Sequence, residues 1–459
     1  MASKELKEHY EHIIIGGGIV GAGILRDLTL HKQDVLLIDK NDFASQTSSG
    51  SSKMLHGGIR YLENFDFFLV FEALKEKRLW LKLASHISEE RTFYLPIFKE
   101  SKWPLFMMRI GLFLYDFLSV FKNNPHKILN STKTIAALQG IKQTGLKGAG
   151  VYSDGVIDDS KLVFDLIFDS CHQGSHAINY HEIIEQKKKD KIYFLTILNK
   201  LTGIKSTVTC KKLIFATGPF TDQVMHKLKI PWKNIILPSK GSHIWIDRNS
   251  LDLDQAMVIQ TKDKRIIFVI PQRGAILVGT TEVMLSEDEV FENIKISDAE
   301  TEYLLGCING YFPNAKVSKE NIIASFAAVR PLVKKGESAS KTSRKHQIYE
   351  PQKNTFVIAG GKYTTFRIMA QDLTKKVLKD SNIKYDKTLS LQELKKKSLL
   401  SDIHTQKINI NDLQEIIEKE QVHNLEDLIK RRLSLYSLKQ SESESELKSL
   451  IEQIDLKSV

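Results

Sequence analysis

The sequence predicts an α/β protein with a discontinuous Rossmann-like dinucleotide-binding domain, an antiparallel β-rich cap domain and a short helical C-terminal region. Three observations carry this reading. A buried strand, a glycine turn, a helix and a second buried strand follow one another over 12–39. The segment between Ile235 and Leu332 has the texture of an antiparallel sheet. A second strand–glycine–helix unit begins at Asn354. With 459 residues and 42% hydrophobic content, the chain has room for about three lobes at roughly 150 residues each.

In the first unit, His12–Ile15 is a short apolar strand, Gly16–Gly21 a turn, Ala22–Leu30 a stretch of helical spacing and Asp34–Asp39 a second strand. Two parallel strands joined this way require a right-handed crossover. Residues 44–52 form a Ser/Gly-rich loop, and Phe65–Leu83 carries apolar residues at three- and four-residue spacing, as a helix does. Residues 91–150 give no clear pattern. A helix is expected over Val156–Ser170, its start marked by Asp158, Asp159 and Ser160, with strands around Ala177–Tyr180, Ile192–Leu198 and Lys212–Ala216. The β texture that follows includes His243–Ile246 and the hairpin of Arg265–Ile270 with Ala275–Gly279. Asn354–Ala359 returns to a buried strand, meets Gly360-Gly361 and runs into a helix from Thr364. Residues 1–85, 150–225 and 345–385 are therefore assigned to the dinucleotide domain and 86–149 with 226–344 to the cap. Residues 386–459 are read as a small helical appendage, with a low-complexity Ser/Glu run at 441–446.

Composition narrows the class. There are 66 Lys+Arg against 55 Asp+Glu, a net charge of +11. Residues 391–459 hold 11 basic and 13 acidic residues, so the excess belongs to the main body and favours an anionic partner. No basic helix or aromatic-interleaved patch supports nucleic acid. Three widely spaced cysteines, Cys171, Cys210 and Cys307, speak against structural disulfides and against a zinc site, so no metal is expected. The first ten residues carry no apolar leader, and a cytoplasmic location is expected. Trp103–Phe121 approaches the length of a membrane span but is interrupted by Pro104, Arg109, Gly111 and Asp116, so it is read as non-spanning. A packed helix and a membrane-surface segment both fit it.

The glycines carry the first chemistry. Gly16-x-Gly18-x-x-Gly21, directly after a strand and opening a helix, is the dinucleotide fingerprint: Gly16 for the tight turn, Gly18 for backbone approach to a pyrophosphate, Gly21 for close helix packing. Asp39, 18 residues past Gly21, stands where a ribose hydroxyl acceptor belongs. NAD and FAD present the same ADP half to such a turn. The loop Thr47-Ser48-Ser49-Gly50-Ser51-Ser52-Lys53 offers hydroxyls and backbone N–H groups where the pyrophosphate and ribityl chain of an extended FAD would pass. A strand ending in Ala216-Thr217-Gly218 and the helix-opening Gly360-Gly361-Lys362-Tyr363-Thr364 complete the candidate cofactor contacts, although an ordinary strand end and an ordinary helix start fit them too. A helix N-terminus favours negative charge, as on a reduced flavin.

Taken together, these stretches resemble the FAD-dependent glycerol-3-phosphate dehydrogenases, whose fold is of the glutathione-reductase/D-amino-acid-oxidase type. The resemblance runs over roughly 10–385 and rests on 16–23, 47–63, 109–116, 216–220, 240–244, 278–282, 329–332 and 360–367, of which His56-Gly57-Gly58-Ile59-Arg60-Tyr61-Leu62-Glu63 is the most specific. Asp39 replaces a frequent Glu, and the C-terminal helical domain is shortened, with Leu425–Arg432 similar to its Arg-rich helix. The resemblance implies FAD as cofactor and oxidation of sn-glycerol 3-phosphate to dihydroxyacetone phosphate, with electrons passed to quinone. Glycerol-3-phosphate oxidase, which reduces oxygen to peroxide, and a flavin-binding protein without turnover are the competing readings.

Phosphate capture calls for guanidinium forks, for which Arg330, then Arg60 and Arg344, are the candidates. Removal of the C2 hydroxyl proton calls for a base titrating near neutrality. His243 is the preferred base, with His56 orienting flavin or substrate beside Gly57. Lys362 is expected to add positive charge near the ring, and Tyr61 and Thr365 to make further polar contacts. A peripheral position on the cytoplasmic face of a membrane is expected, with contact to anionic lipid and a homodimer left open.

Overall fold

The computed structural model describes residues 6–272, 274–287, 289, 291–335, 338–343, 345–399, 409–436 and 444–453. Two sheets organise them. The first runs in the order Gln347–Gln352, Thr355–Ala359, Lys205–Phe215, His9–Ile15, Val35–Ile38, His176–Ile178, with the hairpin His181–Lys189/Ile192–Asn199 continuing from Lys205–Phe215. Its central pairings are parallel. Both faces are covered, which is why its strands read as continuous apolar runs. Ile14, Leu37 and Ile214 point toward the helices Ile19–Leu30, Asp159–His172 and Phe366–Val377, while Ile13, Leu36 and Leu213 pack beneath Tyr193, Leu195, Met225 and Leu228.

The second sheet is mostly antiparallel and is built on Ile236–Asp247, which lies between Ala275–Gly279 and Ile322–Lys335. It continues through Ile266–Gln272 and Ala256–Gln260 to Ser88–Phe98 and Leu146–Ile157. Alternate residues divide its faces. Ile244, Ile246, Ile276 and Val278 pack on the helix Asp298–Tyr311, and Trp245, Leu277, Phe93 and Tyr152 face the helices Phe67–Leu83 and Leu105–Leu118.

Several boundaries differ from the sequence reading. Residues 150–157, assigned to the dinucleotide domain, belong to the second sheet, because Leu146–Ile157 pairs along its whole length with Ser88–Phe98. The helix expected from Val156 starts at Asp159, since Val156 and Ile157 complete that strand; the Asp158 side chain caps it by accepting from the Lys161 N–H. The C-terminal region is no appendage. Arg431 and Arg432 are buried against Asp42, and Tyr436 reaches the loop at Ser49 and Lys53. Residues 441–443 of the Ser/Glu run, and Arg344, lie outside the described residues.

Candidate active site

A cavity of about 660 Å³ opens where the C-terminal ends of the parallel strands meet the second sheet. This is the usual place for a ligand in an open α/β fold, and the size suits a cofactor or substrate. At the dinucleotide end, Gly16 (φ +107°) leaves the first strand so closely against its neighbour that a Cβ would lie 2.5 Å from the Ala216 carbonyl oxygen. A Cβ on Gly21 would lie 1.8 Å from the Gly16 carbonyl, so this glycine seats the helix and does not face the cavity. The helix is capped from outside, Ile19 N–H donating to Ser48 Oγ at 2.9 Å. Asp39 lines the cavity with its carboxylate held by the N–H groups of Gly17 (2.6 Å) and Asn41 (2.8 Å). Burial pushes its pKa up to about 6 against the opposing pull of those donors.

The Ser/Gly loop lines the same cavity. Thr47, Ser48, Ser51 and Ser52 line it, but their hydroxyls already have protein partners: Thr47 donates to the Val329 carbonyl (2.7 Å), Ser51 to Asp159 (2.6 Å), and Ser52 Oγ pairs with His243 Nε2 (2.9 Å). The loop therefore meets a ligand more through its backbone than through free hydroxyls. Ser49 does not line the cavity; its carbonyl accepts from Lys53 Nζ at 2.5 Å and from the Tyr436 hydroxyl at 2.7 Å. Gly57 is also behind the wall, where a Cβ would strike the Tyr115 hydroxyl at 2.2 Å, and its N–H donates to Asp154. Thr365 is buried with its hydroxyl turned to the Lys362 carbonyl at 3.4 Å, away from the cavity.

His56, Arg60, Tyr61, His243, Arg330, Gly360, Gly361, Lys362 and Thr364 line the same cavity. His243 sits opposite Gly279 on one neighbouring strand and Phe326 on the other. Its ring lies parallel to Phe326 at 4.8 Å, and a Cβ on Gly279 would come within 2.1 Å of it. Nε2 is engaged by Ser52, while Nδ1 is buried without a hydrogen-bond partner among the described residues. Burial, then the charges of Arg330 and Lys53, hold its pKa well below the ordinary value. Arg330 crosses above Gly241, donating to Thr280 Oγ1 at 2.8 Å and to the Thr281 carbonyl at 3.3 Å. Arg60 is exposed and lies 5.2 Å from the centre of the Tyr61 ring, which Lys362 Nζ approaches to 3.6 Å.

Sequence reasoning missed a buried layer beneath this wall. Lys53, quoted only as the end of a motif, is 1% exposed and paired with Asp159 at 2.6 Å. Asp159 had been read solely as part of a helix start. Arg265 also lines the cavity, where an exposed-looking charge in a hairpin gave no signal, and Glu63, the last residue of the His56–Glu63 block, lines it too.

A family model described as FAD dependent oxidoreductase matches residues 11–375. The chain belongs to this family. Its cofactor is FAD, and the cavity fits that molecule: the space beside Gly218, where a Cβ would meet nothing within 4 Å, continues the glycine-lined backbone wall from Gly16 to Gly361. Among relatives of this FAD-dependent oxidoreductase, the aerobic glycerol-3-phosphate dehydrogenase of Staphylococcus aureus (strain MRSA252) is 36% identical over 392 residues, covering 83% of this chain and 69% of the relative. The structure of glycerol-3-phosphate dehydrogenase from Bacillus halodurans complexed with FAD superimposes with a TM-score of 0.69 at 26% identity, covering 84% of this chain and 67% of that one. L-alpha-glycerophosphate oxidase from Mycoplasma pneumoniae with FAD bound gives 0.63 at 19% identity, over 81% of this chain and 95% of that one, a likeness of fold.

Proposed function

We propose that this flavoprotein oxidises sn-glycerol 3-phosphate to dihydroxyacetone phosphate and passes the electrons to a membrane quinone. The observation that carries the reading is the presence of Arg60, His243, Arg330 and Lys362 on the wall of the cavity that the dinucleotide glycines also line. The relatives' named activity agrees with it. FAD, when bound, supplies the two-electron acceptor for the C2 hydride.

The chain supplies the rest. Arg330 and Arg60 offer the guanidinium groups that a phosphate dianion needs in a site poor in water. His243, on the cavity wall and neutral before substrate arrives, is the group that takes the C2 hydroxyl proton, with Ser52 Oγ on Nε2 fixing the ring. Burial is the main cause of the low His243 pKa, and a phosphate on Arg330 offsets the next one, so substrate binding moves this base upward by removing that contribution. Lys362 and His56 set positive charge and a polar edge around Tyr61.

The acceptor reading rests on an apolar face. Phe65 (78% exposed), Phe68 (68%), Phe106 (69%), Phe113 (56%), Phe117 (57%) and Phe121 (62%) lie on packed neighbouring segments. They are more than a soluble surface ordinarily leaves in one place. Glu63, on the cavity wall, accepts from Trp103 Nε1 at 2.8 Å just before this helix, so the face adjoins the mouth. No described helix is long and apolar enough to cross a membrane. The arrangement suits an interfacial contact flanked by Lys102, Arg109 and Lys122.

The test is the anaerobic flavin spectrum of the holoenzyme. Bleaching on addition of glycerol 3-phosphate supports the reaction, and an unchanged spectrum removes it. Admitting oxygen then decides the acceptor: fast reoxidation with stoichiometric peroxide would overturn the quinone reading in favour of an oxidase.

A further inference from the structure

We infer that the C-terminal segment Leu425–Tyr436 is a clasp that holds FAD in place by gripping the cofactor loop at both ends, with Arg431, Arg432 and Tyr436 as positioning residues. At one end Arg431 Nε donates to Asp42 Oδ2 at 2.5 Å, and Arg432 donates to both carboxylate oxygens of the same residue, at 2.5 and 3.0 Å. Asp42 is 1% exposed, and Asn179 Nδ2 donates to its Oδ1 at 2.8 Å. The two residues after it hold the fingerprint turn: Ala44 N–H donates to the Gly17 carbonyl at 3.0 Å, and the Phe43 ring occupies the space a Cβ on Gly17 would need.

At the other end the Tyr436 hydroxyl donates to the Ser49 carbonyl at 2.7 Å and accepts from Lys53 Nζ at 2.5 Å. Its ring rests on Phe326 at 4.8 Å, the residue stacked on His243. Between the two grips lie residues 44–48 and 50–52, all of which line the cavity. The clasp itself is seated by its own small core, in which Leu413, Ile416, Val422, Leu428 and Leu433 are buried, and by Asp427, which accepts from the Tyr180 hydroxyl at 2.8 Å.

None of the clasp residues lines the cavity, so their influence on FAD passes through the loop. A loop fixed at both ends cannot swing away from a bound dinucleotide without breaking buried, charge-assisted hydrogen bonds. The inference rests on FAD occupying the cavity and not on the identity of the substrate.

The test uses the full-length holoenzyme with Tyr436→Phe, which keeps the ring and deletes the hydroxyl, and separately Arg431→Gln, which leaves Asp42 both bonds from Arg432. FAD release is followed by the rise of flavin fluorescence after dilution, and the thermal midpoint of the apoprotein is measured in parallel. Each variant should release FAD about tenfold faster, about 1.4 kcal/mol, an effect beyond the loss of apoprotein stability that the buried Arg431–Asp42 and Arg431–Asp427 pairs also entail. A release rate within twofold of the parent, or an acceleration matched by an equal loss of apoprotein stability, overturns the clasp.

Discussion

His243 is held neutral in the free protein, because burial and the charges of Arg330 and Lys53 all oppose its protonation. The acid limb of kcat/KM, which reports the free enzyme, should lie below 6.5, and the limb of kcat, which reports the substrate complex, should lie higher. Arg330→Gln should raise KM and also move the kcat/KM limb upward, since it removes a positive neighbour; a pH profile in which the limb stays put would separate Arg330 from the base. His243→Asn should lower kcat by about 10²–10⁴ while leaving FAD bound, as checked by turnover and by the flavin spectrum. The chemistry-bearing residue types on the cavity wall were legible, because glycine spacing and a charged residue inside an apolar motif are local signals. Lys53 and Asp159 were not: their meaning lies in a 2.6 Å contact between residues 106 positions apart.

Among the elements, the strand–glycine–helix units could be read directly, because a doubly covered parallel strand is a short apolar run with glycine at its end. The stretch 91–150 could not. Its last strand, Leu146–Ile157, is rich in glycine, which lowers every strand signal, yet the glycines have a purpose: a Cβ on Gly150 would meet Leu112 and Met108 at 2.8 and 2.9 Å. The helix Leu105–Leu118 lies on that bare strand and turns its phenylalanines outward, contrary to the ordinary apolar-inward rule. Replacing Phe106 and Phe117 with Asp should abolish sedimentation with anionic phospholipid vesicles while leaving anaerobic flavin reduction by glycerol 3-phosphate intact. Retained vesicle binding would remove the helix from the membrane contact.

Across the whole molecule, the C-terminal segment ties residues far apart in sequence to one loop, and its polar core titrates. Burial pushes Glu420 up to about 7 even though Arg432 is beside it. Because this folded-state pKa lies above the ordinary carboxyl value, its stabilising contribution is present below about pH 4.5 and is lost as pH rises through about 7. Glu420→Gln should therefore gain thermal midpoint relative to the parent between about pH 5 and pH 8; a constant difference across that range would contradict the assignment. Asp42 behaves oppositely. Burial alone would raise it, but Arg432 and Arg431 together outweigh that and hold it below the usual carboxyl range, so its contribution fades only on strong acidification.

The pairing of Asp42 with Arg431 and Arg432 spans 389 and 390 residues of chain. During synthesis the amino-terminal fingerprint, the acid of the second strand and the serine loop all emerge long before their latch does. The wall that faces them is late as well, since Ala216–Phe220, Arg330 and Gly360–Thr364 line the same cavity and the strands Lys205–Phe215 and Thr355–Ala359 complete the parallel sheet. The loop that the early residues build is thereby latched by residues made nearly four hundred positions later, so its closure reports that the intervening chain has folded.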